Sequence, residues 1–303
     1  MQLALKPLSR VVTLMKGLRP QIEPKINLRL EKGNYIVKTV SEPWEFQEVI
    51  RLRYAVFHRE YRKAILPFGW DLDDYDFICD HLIIIQKNDA STKKEGTVVG
   101  TYRMICSTFS ESFYSQTEFN LDEFLKLPGV KLELGRACIH PDYRKGSVMN
   151  LLWRGVTEYL RQTDARYLFG CSSVKVMDAP EVAGISRYLE NKGFVSEEYG
   201  IRPLPNWEVP ALDEHLAKGY VNDAVAEAVA STAASSGDGA VVAVAEDSKA
   251  KELLPPLLEM YLLAGAKVVG RPALDRAFRC VDYLTVLDTT KLSALFSRRY
   301  SAT

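Results

Sequence analysis

The chain has 303 residues, 47% of them hydrophobic, and a formal net charge of zero. It can bury one large core or two smaller ones, and it has no global field to recruit nucleic acid or a membrane. Five cysteines without a CxxC pair and four scattered histidines argue against a disulfide scaffold or a metal site and for a reducing cytoplasm.

Residues 1–30 form an N-terminal segment in which Leu, Val and Met mix with Lys6, Arg10, Lys16 and Arg19. It lacks the apolar core and cleavage site of a signal peptide. One reading is a basic amphipathic helix at the inner face of the cytoplasmic membrane. The plain alternative is a packed helix or a frayed terminus. No apolar run reaches spanning length.

The main domain is read as residues 31–221. Residues 34–40 form a strand, and Ser41-Glu-Pro opens a helix over 44–59 with Ser41 as its cap. Residues 60–80 form a loop in which Asp71, Asp73, Asp74, Asp76 and Asp80 interleave with Trp70, Tyr75 and Phe77. Strands at 81–86 and 97–107 flank a polar turn. Helical pieces follow to residue 127, then a Pro128-Gly129 turn.

Residues 131–172 hold a strand with an embedded acid, a Pro-Asp-Tyr-Arg turn, a loop with Gly146, a helix and a second strand at 166–171. The helix carries Val148, Leu151, Leu152, Val156, Tyr159 and Leu160 at helical spacing. Residues 181–193 read as a helix stopped by Gly193, and 200–220 as irregular. Residues 222–250 are an Ala/Ser-rich insertion or linker. Residues 251–303 complete the domain with a helix at 253–264 and strands at 266–269 and 279–287. The order predicts an α+β fold whose mixed, mostly antiparallel sheet is flanked by helices.

Glu133 is the leading catalytic candidate. Alternation in LELGRACI puts Leu132 and Leu134 on one face and Glu133 on the other. An acid inside a sheet is costly unless it has partners or a task, and such a carboxylate can take a proton from an ammonium. The bland alternative is an outward-facing strand glutamate. Arg136 faces away from Glu133 in a regular strand, but a bulge near Gly135 brings both to one side. Its role is then a substrate carboxylate partner or a structural ion pair. Arg144, Lys145, Gly146 and Ser147 precede a helix, where backbone amides and cations suit a phosphate or phosphopantetheine. The aspartate loop is either solvated or a pocket for a cationic amine. Arg103, inside a strand, needs a partner.

Several stretches together resemble the ornithine-acyltransferase group of the GNAT-like superfamily, a group often labelled hemolysin-like. They are LRYAVFHREY (52–61), DLDDYDFICDHLII (71–84), VVGTYRM (98–104), LELGRACIHPDYR (132–144), LLW (151–153) and RYLFGCSS (166–173), with 254–287 similar to the group's C-terminal segment. Relatives include acyl-homoserine-lactone synthases and N-acyl amino acid synthases. The resemblance implies a GNAT-like N-acyltransferase that moves a long-chain, often 3-hydroxylated, acyl group from acyl carrier protein to the α-amine of an amino acid, ornithine first of all. It makes Glu133 the base. Arg53, Asp73, Asp76, Arg103 and Arg136 become residues that shape the amino-acid pocket. Ser147 and Met149 stand where the usual pyrophosphate loop wants Gly and a small residue. That departure favours a carrier-borne acyl-phosphopantetheine over acyl-CoA, with no tightly bound cofactor. Competing readings are the same chemistry on glycine or tyrosine, a small-molecule acetyltransferase, and a non-catalytic membrane-surface protein.

Overall fold

A computed structural model describes residues 22–63, 69–88, 95–218 and 248–292. The basic stretch 3–19 and nearly all of the Ala/Ser-rich stretch lie outside the described residues. The chain divides into two compact units: one within Met1–Tyr114 and Gly129–Leu168, the other within Ser115–Pro128 and Phe169–Phe296.

In the first unit, strands β1 (Arg29–Lys32), β2 (Tyr35–Thr39), β3 (Asp80–Lys87), β4 (Gly96–Cys106) and β6 (Val130–Ile139) run in that spatial order. Every pairing is antiparallel. Polar β1 (RLEK) carries no apolar alternation, so it is legible only as the hairpin partner of β2. The HLIIIQ run has apolar residues on both faces because a helix covers each. Helix α1 (Pro43–Arg53) packs Phe46, Val49 and Ile50 with Ile36, Ile83 and Ile85. Helix α3 (Val148–Thr163) lies on the opposite face, where Gly155 meets Val37 and Leu82.

The cap of α1 falls at Glu42 rather than Ser41, because the Glu45 carboxylate accepts from the backbone N–H of both Ser41 (2.8 Å) and Glu42 (3.1 Å). Beyond Arg53 the helix continues as a π-helix over Tyr54–Tyr61. The wider turn re-aims the side chains that follow.

A Cβ on Gly155 would lie 2.7–2.8 Å from Leu82 and Val37 methyls, all fully buried. The overpacking outweighs the gain in helix propensity, so Gly155→Ala is expected to destabilise by about 1–2 kcal/mol. A lower urea midpoint at unchanged slope checks this.

The second unit holds the remainder of β7 (Ala165–Val174), then β12 (Cys280–Asp288), β10 (Lys267–Val269) and β8 (Val195–Ser196) in order, with β11 (Ala273–Asp275) beside β12. β8 and β10 are parallel and β10 and β12 antiparallel, so the architecture is mixed but mostly antiparallel. Short β5 (Phe119–Asn120) pairs with β9 (Arg202–Pro203). Helix Ala179–Asn191 starts on Asp178, whose side chain accepts from Glu181 N–H, and stops before Gly193 at φ +68°. Tyr283, Leu258 and Ile185 centre this unit's core. Among the described residues no helix is long and apolar enough to cross a membrane.

Candidate active site

Glu133 sits mid-strand on β6 with 2% of its surface exposed, so the outward-facing reading fails. Its Oε2 accepts from the backbone N–H of Tyr114 at 2.7 Å.

Three residues further on, the strand bulges. Thr101 faces Cys138 and Arg103 faces Gly135, so Tyr102 alone opposes both Arg136 and Ala137. Arg136 takes φ +50°, the left-handed region that a bulge of this kind demands. Regular alternation would send its side chain to the other face. The bulge instead delivers it beside Arg103, which shares the Glu133 face by cross-strand register.

Both guanidiniums reach Asp73. Arg103 Nη1 donates to Asp73 Oδ1 at 2.6 Å and Arg136 Nη2 to Oδ2 at 3.2 Å. Behind them Arg53 donates to both Asp76 oxygens (2.6 and 3.1 Å) and through Nε to Asp71 (2.7 Å). His58 Nε2 lies 3.0 Å from the other Asp71 oxygen, and Arg62 Nη1 lies 3.3 Å from Nδ1. With Arg62 donating to Nδ1, Nε2 carries the proton and donates to Asp71.

The aspartate loop is thus no solvated loop. Asp71, Asp76 and Asp80 are buried, and the cations that Asp71, Asp73 and Asp76 meet are guanidiniums of the chain itself. Burial pushes the Asp71 and Asp76 carboxyls up. The neighbouring charges, Arg53 first, outweigh it and hold both below the usual carboxylate range. Burial dominates at His81, pulling it down to about 4 and keeping it neutral near pH 7. Asp80 goes the other way. Burial raises it, although Lys25 N–H, Ile26 N–H and Tyr159 Oη–H all donate to it.

Arg53, Asp76 and Arg103 are at most 4% exposed. The side chains of Asp73 (27%) and Arg136 (16%) keep some solvent contact. The network therefore has a sealed inner part and an outer pair that a small molecule can approach.

Arg144, Lys145, Gly146 and Ser147 are all exposed and lead directly into α3. The Arg144 fork is already in use. Its two Nη atoms donate to Glu60 at 2.6 Å each, and its Nε donates to the Ile139 carbonyl at 3.2 Å. Glu60 lies on the π-helix.

A family model described as an acetyltransferase (GNAT) domain matches residues 52–154, a span containing Arg53, His58, the aspartate loop from Asp71, Arg103, Tyr114, Glu133, Arg136 and Arg144. The L-ornithine N(alpha)-acyltransferase of Rhizobium meliloti (strain 1021) is 30% identical over 260 residues, which cover 83% of this chain and 79% of that protein. The chain belongs to the L-ornithine N(alpha)-acyltransferase family. Another member, from Brucella abortus (strain 2308), is 28% identical over 280 residues, 89% of this chain and 90% of that one. A solved CoA-dependent acyl-homoserine lactone synthase, BjaI, overlaps 84% of the chain and 82% of its own at 14% identity, with a TM-score of 0.40, too low to argue from.

In this acyltransferase, three residues at the site had weak or no sequence signal. His58 lies five positions after Arg53, a spacing that regular helical periodicity does not place on one face. Asp71 looked like any other acid of its loop. Tyr114, which joins Glu133 to the arginines, follows an unpatterned polar stretch. The fold also gathers donors that looked scattered. Asp76, Cys79 and His81 have ligand-capable atoms within 4.8 Å of one another, as do Asp275, Cys280 and Asp282 in the second unit. In the first set Arg53 occupies both Asp76 oxygens, and burial drives the Cys79 thiol well above its ordinary value. In the second, Asp275 accepts from the N–H of Ala277 and Phe278, and burial likewise raises Cys280.

Proposed function

We propose that this protein transfers a long-chain acyl group from an acyl carrier protein to the α-amine of ornithine. The carrying observation is a buried acid, Glu133, and a bulged arginine, Arg136, that converge on Tyr114 in a member of this family. An α-amino acid presents an ammonium and a carboxylate one carbon apart. A carboxylate and a guanidinium on one sheet face suit that pair.

In this reading Arg136 receives the substrate carboxylate. Arg53, Asp76, Asp73 and Arg103 hold it in place. Glu133 takes one proton from the α-ammonium. The freed amine attacks the thioester carbonyl, and the tetrahedral intermediate collapses to the amide. The carrier thiolate leaves and takes up the second proton that the attacking nitrogen gives up. Ornithine as acceptor is supported by the names of four curated relatives. The carrier as donor is supported by Ser147 and Met149, which stand where a nucleotide pyrophosphate loop wants Gly and a small residue. Exposed Lys145 suits an acidic carrier.

The test is release of free carrier thiol from 3-hydroxypalmitoyl carrier protein with a panel of amino acids. Release that requires ornithine is the expected result. Release with another amino acid replaces the acceptor. Turnover with acyl-CoA alone, and none with the carrier, overturns the donor.

A further inference from the structure

We propose that Tyr114 is a positioning residue for Glu133. The proposal rests on the reading of Glu133 as the base. Tyr114 holds Glu133 with its backbone, through the N–H that donates to Oε2 at 2.7 Å. That N–H is aimed only as well as residue 114 is held. The holding is done by its ring. The Arg136 guanidinium carbon lies 4.8 Å from the ring centroid and that of Arg103 lies 5.2 Å from it. Tyr75 meets the ring edge-on at 5.8 Å and 74°. Both guanidiniums are themselves bound to Asp73, at 2.6 and 3.2 Å, so they form a fixed seat for the π-face.

The aspartate loop is thereby connected to the base. Asp73 fixes two guanidiniums, the guanidiniums hold a ring, and the ring's own backbone N–H orients the carboxylate. The same arginine that suits the substrate carboxylate also seats Tyr114, so acceptor recognition and base placement share one support. The contacts that seat Tyr114 on Arg103 and Arg136 are made by its aromatic face.

The test uses the full chain with a carrier-borne 3-hydroxyacyl donor and ornithine. Tyr114→Leu keeps apolar bulk and removes the π-face. Its kcat is expected to fall by about 10–100-fold, the effect of a misplaced reacting group, with the acceptor KM little changed. Tyr114→Phe is expected to recover most of that loss. A Tyr114→Leu enzyme with unchanged kcat, a change confined to KM, or a Tyr114→Phe enzyme as impaired as Tyr114→Leu overturns the proposal. Should Tyr114→Leu not fold, as read by its melting curve, Tyr75→Leu decides. It removes the edge-on support and the second aromatic face under Arg103, 5.5 Å from its guanidinium carbon, while the Tyr114 ring itself stays, so kcat falls in the same direction by a smaller factor, and an unchanged kcat overturns the proposal. Glu133→Gln in the same assay separates the two levels. An inactive Glu133→Gln beside a fully active Tyr114→Leu sinks the positioning role alone, whereas a fully active Glu133→Gln sinks the base itself.

Discussion

Glu133→Gln is expected to lower thiol release by about 10²–10⁴-fold, the usual worth of a positioned general base. The substitution is nearly isosteric. The new amide oxygen still accepts the Tyr114 N–H, so the buried hydrogen bond at 2.7 Å survives and the melting temperature stays close to wild type. What is lost is the capacity to take a proton from the acceptor ammonium. Two measurements settle it together: steady-state release with ornithine, and a thermal melt. A folded Glu133→Gln protein with turnover within a few-fold of wild type would remove Glu133 from the chemistry. Raising the pH of the assay supplies free amine from solution, so the deficit is expected to narrow as pH rises.

Arg53→Met is expected to cost about 3–5 kcal/mol of stability near pH 7, because it strips the partner from buried carboxylates. Arg53 is fully buried and donates to Asp71 and to both oxygens of Asp76. Met fills much of the volume, so the loss reports the stranded charges rather than a cavity. The pH dependence gives the second arm. Asp71 and Asp76 have folded-state carboxyls held below the ordinary range, against burial, by Arg53 and the other arginines. A depressed carboxylate contributes stability that is complete above the unfolded value, about 3.9, and is lost as pH falls through the folded one. The wild type therefore loses this contribution in acid, while the variant has little of it left to lose. The gap between the two urea midpoints should be widest near pH 7 and shrink below about pH 4. Asp80 works in the opposite sense, because burial raises it, but it is common to both proteins and leaves the difference to the arginine network. A gap that is small at pH 7, or that does not change with pH, would show that Arg53 is not the partner these aspartates depend on.

Much of the site was legible because its signals are local. The alternation of LELGRACI set Glu133 off from the leucines, and Gly135 marked the place where the ladder bulges. The 3.6-residue spacing of Val148, Leu151, Leu152 and Val156 defined α3, and the apolar run HLIIIQ announced the strand β3. These are properties of neighbours within ten or so residues, and the chain carries them wherever it goes. Family likeness supplied the expected roles, and the family model matches residues 52–154, where those residues lie.

What a loop's acids do is another matter, because burial and pairing are not local. Asp71, Asp73 and Asp76 read either as part of a solvated loop with five acids in ten residues or as a pocket for a cationic amine. Packing buries two of the three and sets them against Arg53, Arg103 and Arg136, which lie up to 65 positions away in the chain. Glu60 claims the Arg144 fork across 84 positions, and the π-helix that carries Glu60 replaces the last turns of an ordinary helix. Tyr114 has no periodic pattern at all, yet it is the contact between Glu133 and the arginines. The sequence by itself determined the main strands and helices and singled out Glu133 as the acid inside a strand. Only the tertiary structure decided which charges are neutralised and which group orients that acid. Alternation and helical spacing are written in the covalent chain, whereas charge pairing depends on which distant segments the core brings within about 3 Å, the reach of a hydrogen bond.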